Sequence, residues 1–490
     1  MEDIANIRDN KKIGFAFPGK LAYESFLEDK KIIYIFGNSF ELYNKDKRKK
    51  IFYEFDFNNI DLESLGINIP DIRKEINNWS TLWTRWVGES YRYEVFREKA
   101  IFHISKIIIS LYKLNISCIV FHTSVAHHFD SFCIYNACKL LKIPCIYLYS
   151  IVVNGDLLPL IQTSTIESRK PLGENISNTK YELIIQNFIT NLKDKKPPQT
   201  NPKRNKINTN FYLSIFFLFY LEIKHITYKI LFKVPKNKFY NEHNFLSKLN
   251  MLFEQRKYIK YYRKLEIEKP NITNSLESPK LIIFAHYQPE ATTMPEGGDY
   301  ISHVDVILSL RLKGYKDKIY YKEHPASLMY LYEMENKISD ITRVGIHRYK
   351  EYLNTLKEIG CEFVSQKFKV ENYNSSNILP VTICGGIALE RSLEGLRTII
   401  FGQPWFKNIP GIIHVDSINS FKDINPEWLL PDYQIEKNAK IWLERTLSQK
   451  TITNRLKIGS ENPFIKKANF KETQDELNNL FDILKKYYLD

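Results

Sequence analysis

Between Lys280 and Gly402, short apolar runs rich in β-branched and aromatic residues alternate with longer amphipathic stretches. "KLIIFA", "KIYYK", "CEFVS", "LPVTIC" and "RTIIFG" read as strands. "VDVILSLRLKG", "HRYKEYLNTLKEIG" and "IALERSLEGL" read as helices among them. Strands separated by crossover helices pair in parallel, so repeated alternation dictates a doubly wound α/β domain. In such a domain, ligands bind beyond the carboxyl ends of the strands.

The N-terminal half carries the same pattern. "KIIYIFGNS" (31–39) and "ISCIVFHTS" (116–124) read as strands, a helix is predicted over 130–143, and "PCIYLYS" starts another strand at Pro144. A chain of 490 residues is too long for one ordinary core, so two domains are expected. The predicted organisation is a Rossmann-like domain over 1–192, a basic helical insertion over 193–267 and a linker over 268–279. A second Rossmann-like domain covers 280–455, and a C-terminal helical segment over 456–490 packs back on the first domain. In that segment Leu477, Leu480, Leu484 and Tyr487 share one helical face.

The insertion opens with "KDKKPPQTNPKRNK" (193–206) and continues into "NFYLSIFFLFYLEIKHITYKILFKVPKNK". Its fully apolar part, Ile215 to Leu221, is far shorter than the ~20 residues that span a bilayer. In a helix, Phe216, Phe219, Ile223, Ile226 and Ile230 share a face, and Glu222, His225, Lys229 and Lys233 another. Two readings are open. The helix lies in the plane of an anionic membrane surface, or it packs on the N-terminal domain with that stripe as core.

Net charge is +14, which favours an acidic partner such as nucleotide phosphate, an anionic membrane or nucleic acid. The basic residues gather in the insertion and do not interleave with aromatics on a strand platform, which speaks against nucleic acid. The first 30 residues carry charges throughout and contain no secretory apolar core, so a cytoplasmic protein is expected, peripheral on the inner face of the membrane only under the first of those two readings. Six cysteines without a CxxC pair read as buried free thiols.

Three motifs carry chemistry. In "HYQPEATTMPEGG" (286–298), His286 ends a strand and Glu290 follows Pro289 in the loop beyond it. Such a carboxylate suits proton abstraction from a sugar hydroxyl. In "YYKEHPASL" (320–328), Lys322 and His324 stand at a strand end as donors to phosphate oxygens, and Pro325 suits the first turn of a following helix. In "TICGGIALERSLEGLRTIIFG" (382–402), Gly385 and Gly386 leave backbone N–H groups at a strand-to-helix turn for a phosphate. Glu390, one turn further in, suits two ribose hydroxyls. "FHTSVAHHFD" (121–130) clusters His122, His127, His128 and Asp130, at a spacing that fits no standard zinc pattern.

The order "HYQPEATT", "KEHP", "CGGIALERSLEG", "IIFGQPWF" resembles the bacterial capsular polysaccharide biosynthesis proteins, glycosyltransferases related to Kdo-transferases. The His-Pro pair is similar to that of bacterial sialyltransferases. The resemblance covers about 280–415, with a looser match at 116–150. The chain departs from the family pattern at Cys384, where Ser or Thr commonly precedes the glycine, and at Arg391 and Arg397.

The resemblance implies a GT-B α/β architecture of two facing Rossmann-like domains and a transferase that needs no metal or other cofactor. It assigns donor contacts to Lys322, His324, Gly385, Gly386 and Glu390. The loop position of Glu290 at a strand's carboxyl end makes it the expected catalytic base, with His286 beside it, and Asp130 and His128 in the acceptor domain are the alternatives. The implied donor is a nucleotide-activated sugar, with a CMP-activated ulosonic acid favoured. The implied acceptor is a saccharide or glycolipid of a surface polysaccharide. A nucleotide-sugar epimerase of the same architecture, or a basic nucleic-acid-binding protein, are the alternatives.

Overall fold

The computed structural model describes residues 11–16, 32–35, 62–79, 93–121, 125, 129–153, 156–166, 186, 190, 210–232, 245–268, 279–286, 294–330, 349–368, 377–421, 424–448, 451–453 and 470–489. The strands are β1 (Lys12–Ala16), β2 (Ile32–Ile35), β3 (Ile116–Phe121), β4 (Cys145–Val153), β5 (Asp156–Thr165), β6 (Glu266–Ile267), β7 (Lys280–Phe284), β8 (Ile319–Lys322), β9 (Cys361–Val364), β10 (Ile378–Thr382), β11 (Thr398–Ile400), β12 (Ile412–His414) and β13 (Thr451–Thr453). The helices are α1 (Ile69–Asn78), α2 (Tyr93–Lys113), α3 (Phe129–Leu140), α4 (Phe211–Phe232), α5 (Phe245–Leu265), α6 (His303–Leu312), α7 (Lys350–Glu358), α8 (Ile387–Ser392), α9 (Tyr433–Ser448) and α10 (Phe470–Tyr488).

The chain forms two compact units, each Rossmann-like. The first comprises Met1–Ser80, Tyr91–Phe188 and Arg445–Asp490, and the second Thr81–Ser90 and Ile189–Glu444. In the first, the sheet order is β13-β5-β4-β3-β1-β2. Strands β2, β1, β3 and β4 run parallel, and β5 and β13 join antiparallel. From α10, Leu480, Phe481 and Leu484 are buried, and Phe481 stacks on Phe15 of β1 at 5.8 Å. Tyr487, predicted on the same face, is instead exposed. All six cysteines are free thiols, five of them buried and Cys384 half-buried. Burial pushes the Cys361 thiol up to about 12.

The second unit holds a seven-stranded sheet in the order β12-β11-β10-β7-β8-β9-β6, parallel throughout. Helices cover both faces of such a sheet, so its strands read as unbroken apolar runs. Alternation along β7 shows why: Leu281 and Ile283 enter the core beneath α4, α5, α6 and α7, while Ile282 and Phe284 pack with Tyr320, Val364 and Ile378 on the other face.

Helices α4 and α5 belong to this second core. Phe211, Leu218 and Leu221 from α4 join Met251, Leu252, Tyr258, Ile259 and Tyr262 from α5. Lys248, 1% exposed, pairs with Glu222 at 2.8 Å and ties the two helices together. The reading in which α4 packs on the N-terminal domain is therefore corrected, and so is its inward face. Leu218 and Leu221 point in, whereas Phe216, Phe219, Ile223 and Ile226 point out. Both faces are apolar, so periodicity alone does not separate inside from outside. Among the described residues, no helix is long and apolar enough to cross a membrane.

Candidate functional site

Strand order locates the crevice of the second unit. From β7 the chain moves to β8 and β9 on one side, then returns to β10 on the other side of β7. The switch point lies between β7 and β10, where neighbouring loops leave the sheet in opposite directions and open a gap at its carboxyl edge. His286 follows β7, and the Cys384–Gly386 turn follows β10.

His286 bridges the two. Its Nε2 accepts from the Cys384 N–H at 3.0 Å and lies 3.2 Å from Thr382 Oγ1. That nitrogen holds a lone pair and is occupied with the turn. Thr382 Oγ1 in turn accepts from the Gly385 N–H at 3.1 Å. Of the two glycine amides proposed from the sequence for phosphate, that of Gly385 is thus already engaged within the protein. The His286 backbone N–H donates to His303 Nε2 at 3.1 Å, which places the His303 ring proton on Nδ1, 3.2 Å from the Tyr352 hydroxyl. His303 opens α6, whose start is fixed by a capping box. The Ser302 hydroxyl accepts from the Val304 N–H at 3.2 Å, and Asp305 accepts from the Ser302 N–H at 3.0 Å. Burial raises the Asp305 carboxyl above its usual range although that N–H stabilises its charge.

The glycines have separate reasons. A Cβ on Gly385 would stand 2.5 Å from Thr382 Oγ1, inside the turn that Thr382 closes. A Cβ on Gly386, the residue before α8, would meet only Glu390 Oε1 at 3.8 Å. The half-buried Glu390 thus has one carboxyl oxygen beside Gly386. Gly385→Ala is expected to destabilise the protein by ~1–3 kcal/mol, because Thr382 is buried and stiff at χ1. Gly386→Ala, at φ −58°, is expected to cost little. Melting temperatures of the two variants check this, and equal values would refute the asymmetry.

At the end of β8, Lys322 Nζ donates to the Phe368 carbonyl and lies 5.8 Å from the Phe284 ring centroid. Glu323, between the two predicted phosphate ligands, is 1% exposed and accepts from Tyr258 Oη, from Tyr321 Oη at 3.0 Å and from the His324 N–H at 2.8 Å. Its own N–H donates to Tyr262 Oη at 3.1 Å, and its carbonyl accepts from Gln366 Nε2 at 2.5 Å. His324 is half-buried, and its carbonyl accepts from the Ser327 N–H at 3.0 Å. Pro325 opens a four-residue 3₁₀ turn, Pro325–Leu328, where the sequence predicts the first turn of a longer helix. Sequence reasoning missed Glu323, Tyr258 and His303. Their roles rest on partners far apart in the chain, and no local pattern marks them.

Beyond β11, the Gln403 N–H donates to the Glu296 carbonyl at 2.6 Å. A Cβ on Gly402 would stand 2.6 Å from that same carbonyl, so the loop after β7 returns against the end of β11. Glu290 lies outside the described residues, within that loop. In the first unit, the corresponding switch point falls between β1 and β3. Asp130, half-buried, stands there in the first turn of α3, and His122, His127 and His128 lie outside the described residues. Among the described residues, no three His, Cys, Asp or Glu side chains are grouped to hold a metal ion.

The strand orders define a protein of two Rossmann-like α/β units. No family model matches the chain, and no curated protein is similar to it. Among solved structures it is similar to the β-Kdo 2,7-transferase KpsC of Thermosulfurimonas dismutans, at 10% identity and TM-score 0.27 over 80% of this chain and 97% of that one. It is also similar to the UDP-N-acetylglucosamine 2-epimerase of Rickettsia bellii, at 12% identity and TM-score 0.18 over 98% and 96%. The fold stands on the strand order itself.

Proposed function

We propose that the chain is a glycosyltransferase of GT-B type that takes a nucleotide-activated sugar at the carboxyl edge of its second sheet. One observation carries the reading. The switch point between β7 and β10 is bordered by a glycine turn that His286 and Thr382 hold in place, with a Glu390 carboxyl oxygen beside Gly386. The order of motifs, similar to that of the capsular polysaccharide proteins, supports transfer to a saccharide or glycolipid acceptor and favours a CMP-activated ulosonic acid as donor. Gly386, Glu390, Lys322 and His324 are the proposed donor contacts, and His286 is a positioning residue.

Calorimetric titration with CMP, UDP and GDP tests the donor site, and binding of none would overturn it. Incubating the bound nucleotide's sugar conjugates without acceptor separates transfer from epimerisation, since only an epimerase yields an isomer. His324→Ala is expected to weaken nucleotide binding by about tenfold to a hundredfold, the worth of one charge-assisted phosphate contact. Unchanged affinity in the folded variant would remove His324 from the site.

A further inference from the structure

Helix α4 carries apolar residues on its inward and its outward side, and the core takes up only the inward ones. Leu218 and Leu221 are fully buried in the second unit, while Phe216 is 72% and Ile223 64% exposed on the opposite side. With Tyr212, Phe219 and Ile226, also exposed, they recur at spacings of four, three, four and three. That spacing makes a single stripe roughly 20 Å long. The start of α5 widens it: Phe245 packs on Phe219 at 4.5 Å, and the next residue, Leu246, is exposed. Contiguous apolar surface of this kind marks a docking face.

The surrounding charge selects the occupant. Between residues 193 and 238 the sequence places eleven lysines and arginines against two acidic residues, Asp194 and Glu222. Glu222 is already paired with Lys248. Most of the chain's excess positive charge, +14, therefore flanks this one helix. A second copy of the chain would set two strongly basic segments against each other. A nucleic acid would satisfy the charge but not the Phe and Ile stripe. An anionic bilayer surface satisfies both.

We propose that α4 is an in-plane membrane-docking helix. Its Phe216–Ile226 stripe enters the boundary between headgroups and acyl chains, and the flanking lysines and arginines lie against lipid phosphates. The opposite face is held in the core of the second unit, which fixes the helix parallel to the surface. The inference is independent of the donor-site reading.

The test is flotation of the full-length protein with vesicles of phosphatidylcholine alone and of equal parts phosphatidylcholine and phosphatidylglycerol, at low and high salt. Binding is expected with the anionic vesicles only, weakened at least about tenfold by high salt. Phe216→Glu with Ile223→Glu is expected to lower binding by about a hundredfold at an unchanged melting temperature. Three results overturn the proposal. Wild-type protein fails to float with anionic vesicles, or the double variant floats as wild type does. Alternatively, the double variant loses thermal stability or breaks up a dimer seen by light scattering, which shows that protein covers the stripe.

Discussion

Replacing Glu323 by alanine is expected to lower the stability of the second unit by ~3–5 kcal/mol. The side chain is 1% exposed, and its two carboxyl oxygens accept from the hydroxyls of Tyr258 and Tyr321 and from the His324 N–H. Alanine leaves those donors in a site with little water and opens a cavity beside them. A buried donor without its acceptor costs about 1–3 kcal/mol, so the tyrosine pair alone brings the loss into this range. Glu323→Gln keeps the shape, and the tyrosine hydroxyls rotate to suit the amide, so a cost nearer ~1 kcal/mol is expected. Urea unfolding followed by tyrosine and tryptophan fluorescence reads both. An alanine variant within about 1 kcal/mol of the wild type would show that these bonds contribute little net stability. The change also reaches the site, because the His324 backbone hangs on Glu323. Nucleotide affinity in the alanine variant is expected to fall with stability.

The sequence made much of this fold legible, for a reason that ends where long-range partners begin. Strands such as "LIIF" and "PVTI" are buried on both faces, so they appear as apolar runs between helices and need no partner to be recognised. β1 carries Gly14 and a lysine in only five residues, and β12 is three residues long, so neither stands out. At the site, the strand end of "YYKEHPASL" reads as a ligand corner, because charged residues there have no local purpose. The purpose of Glu323 is supplied by Tyr258 and Tyr262, more than sixty residues earlier in the chain. The same limit applies to His303, whose acceptor nitrogen faces the His286 backbone amide at the far end of the loop between β7 and α6. In α4 the period was visible, but the inward side was set by which residues met β7 and α5.

Glu290→Gln is expected to lower turnover by ~10²–10⁴-fold while leaving nucleotide affinity unchanged, as loss of a general base does. The amide keeps the shape of the side chain and cannot take the acceptor's proton. Glu290 is four residues beyond His286, whose ring is fixed to the Cys384 N–H at the switch point. The loop's return is fixed as well, since the Glu296 carbonyl accepts from the Gln403 N–H at the end of β11. Asp130 is the competing base, at the switch point of the first unit and in the first turn of α3. Burial holds the thiol of Cys133, one turn further along α3, well above the usual range, and the Asp130 charge pushes in the same direction. Asp130→Asn is expected to retain turnover if Glu290 is the base. Steady-state rates at saturating donor decide between them. Near-normal turnover in Glu290→Gln together with a collapse in Asp130→Asn would assign the proton transfer to the first unit.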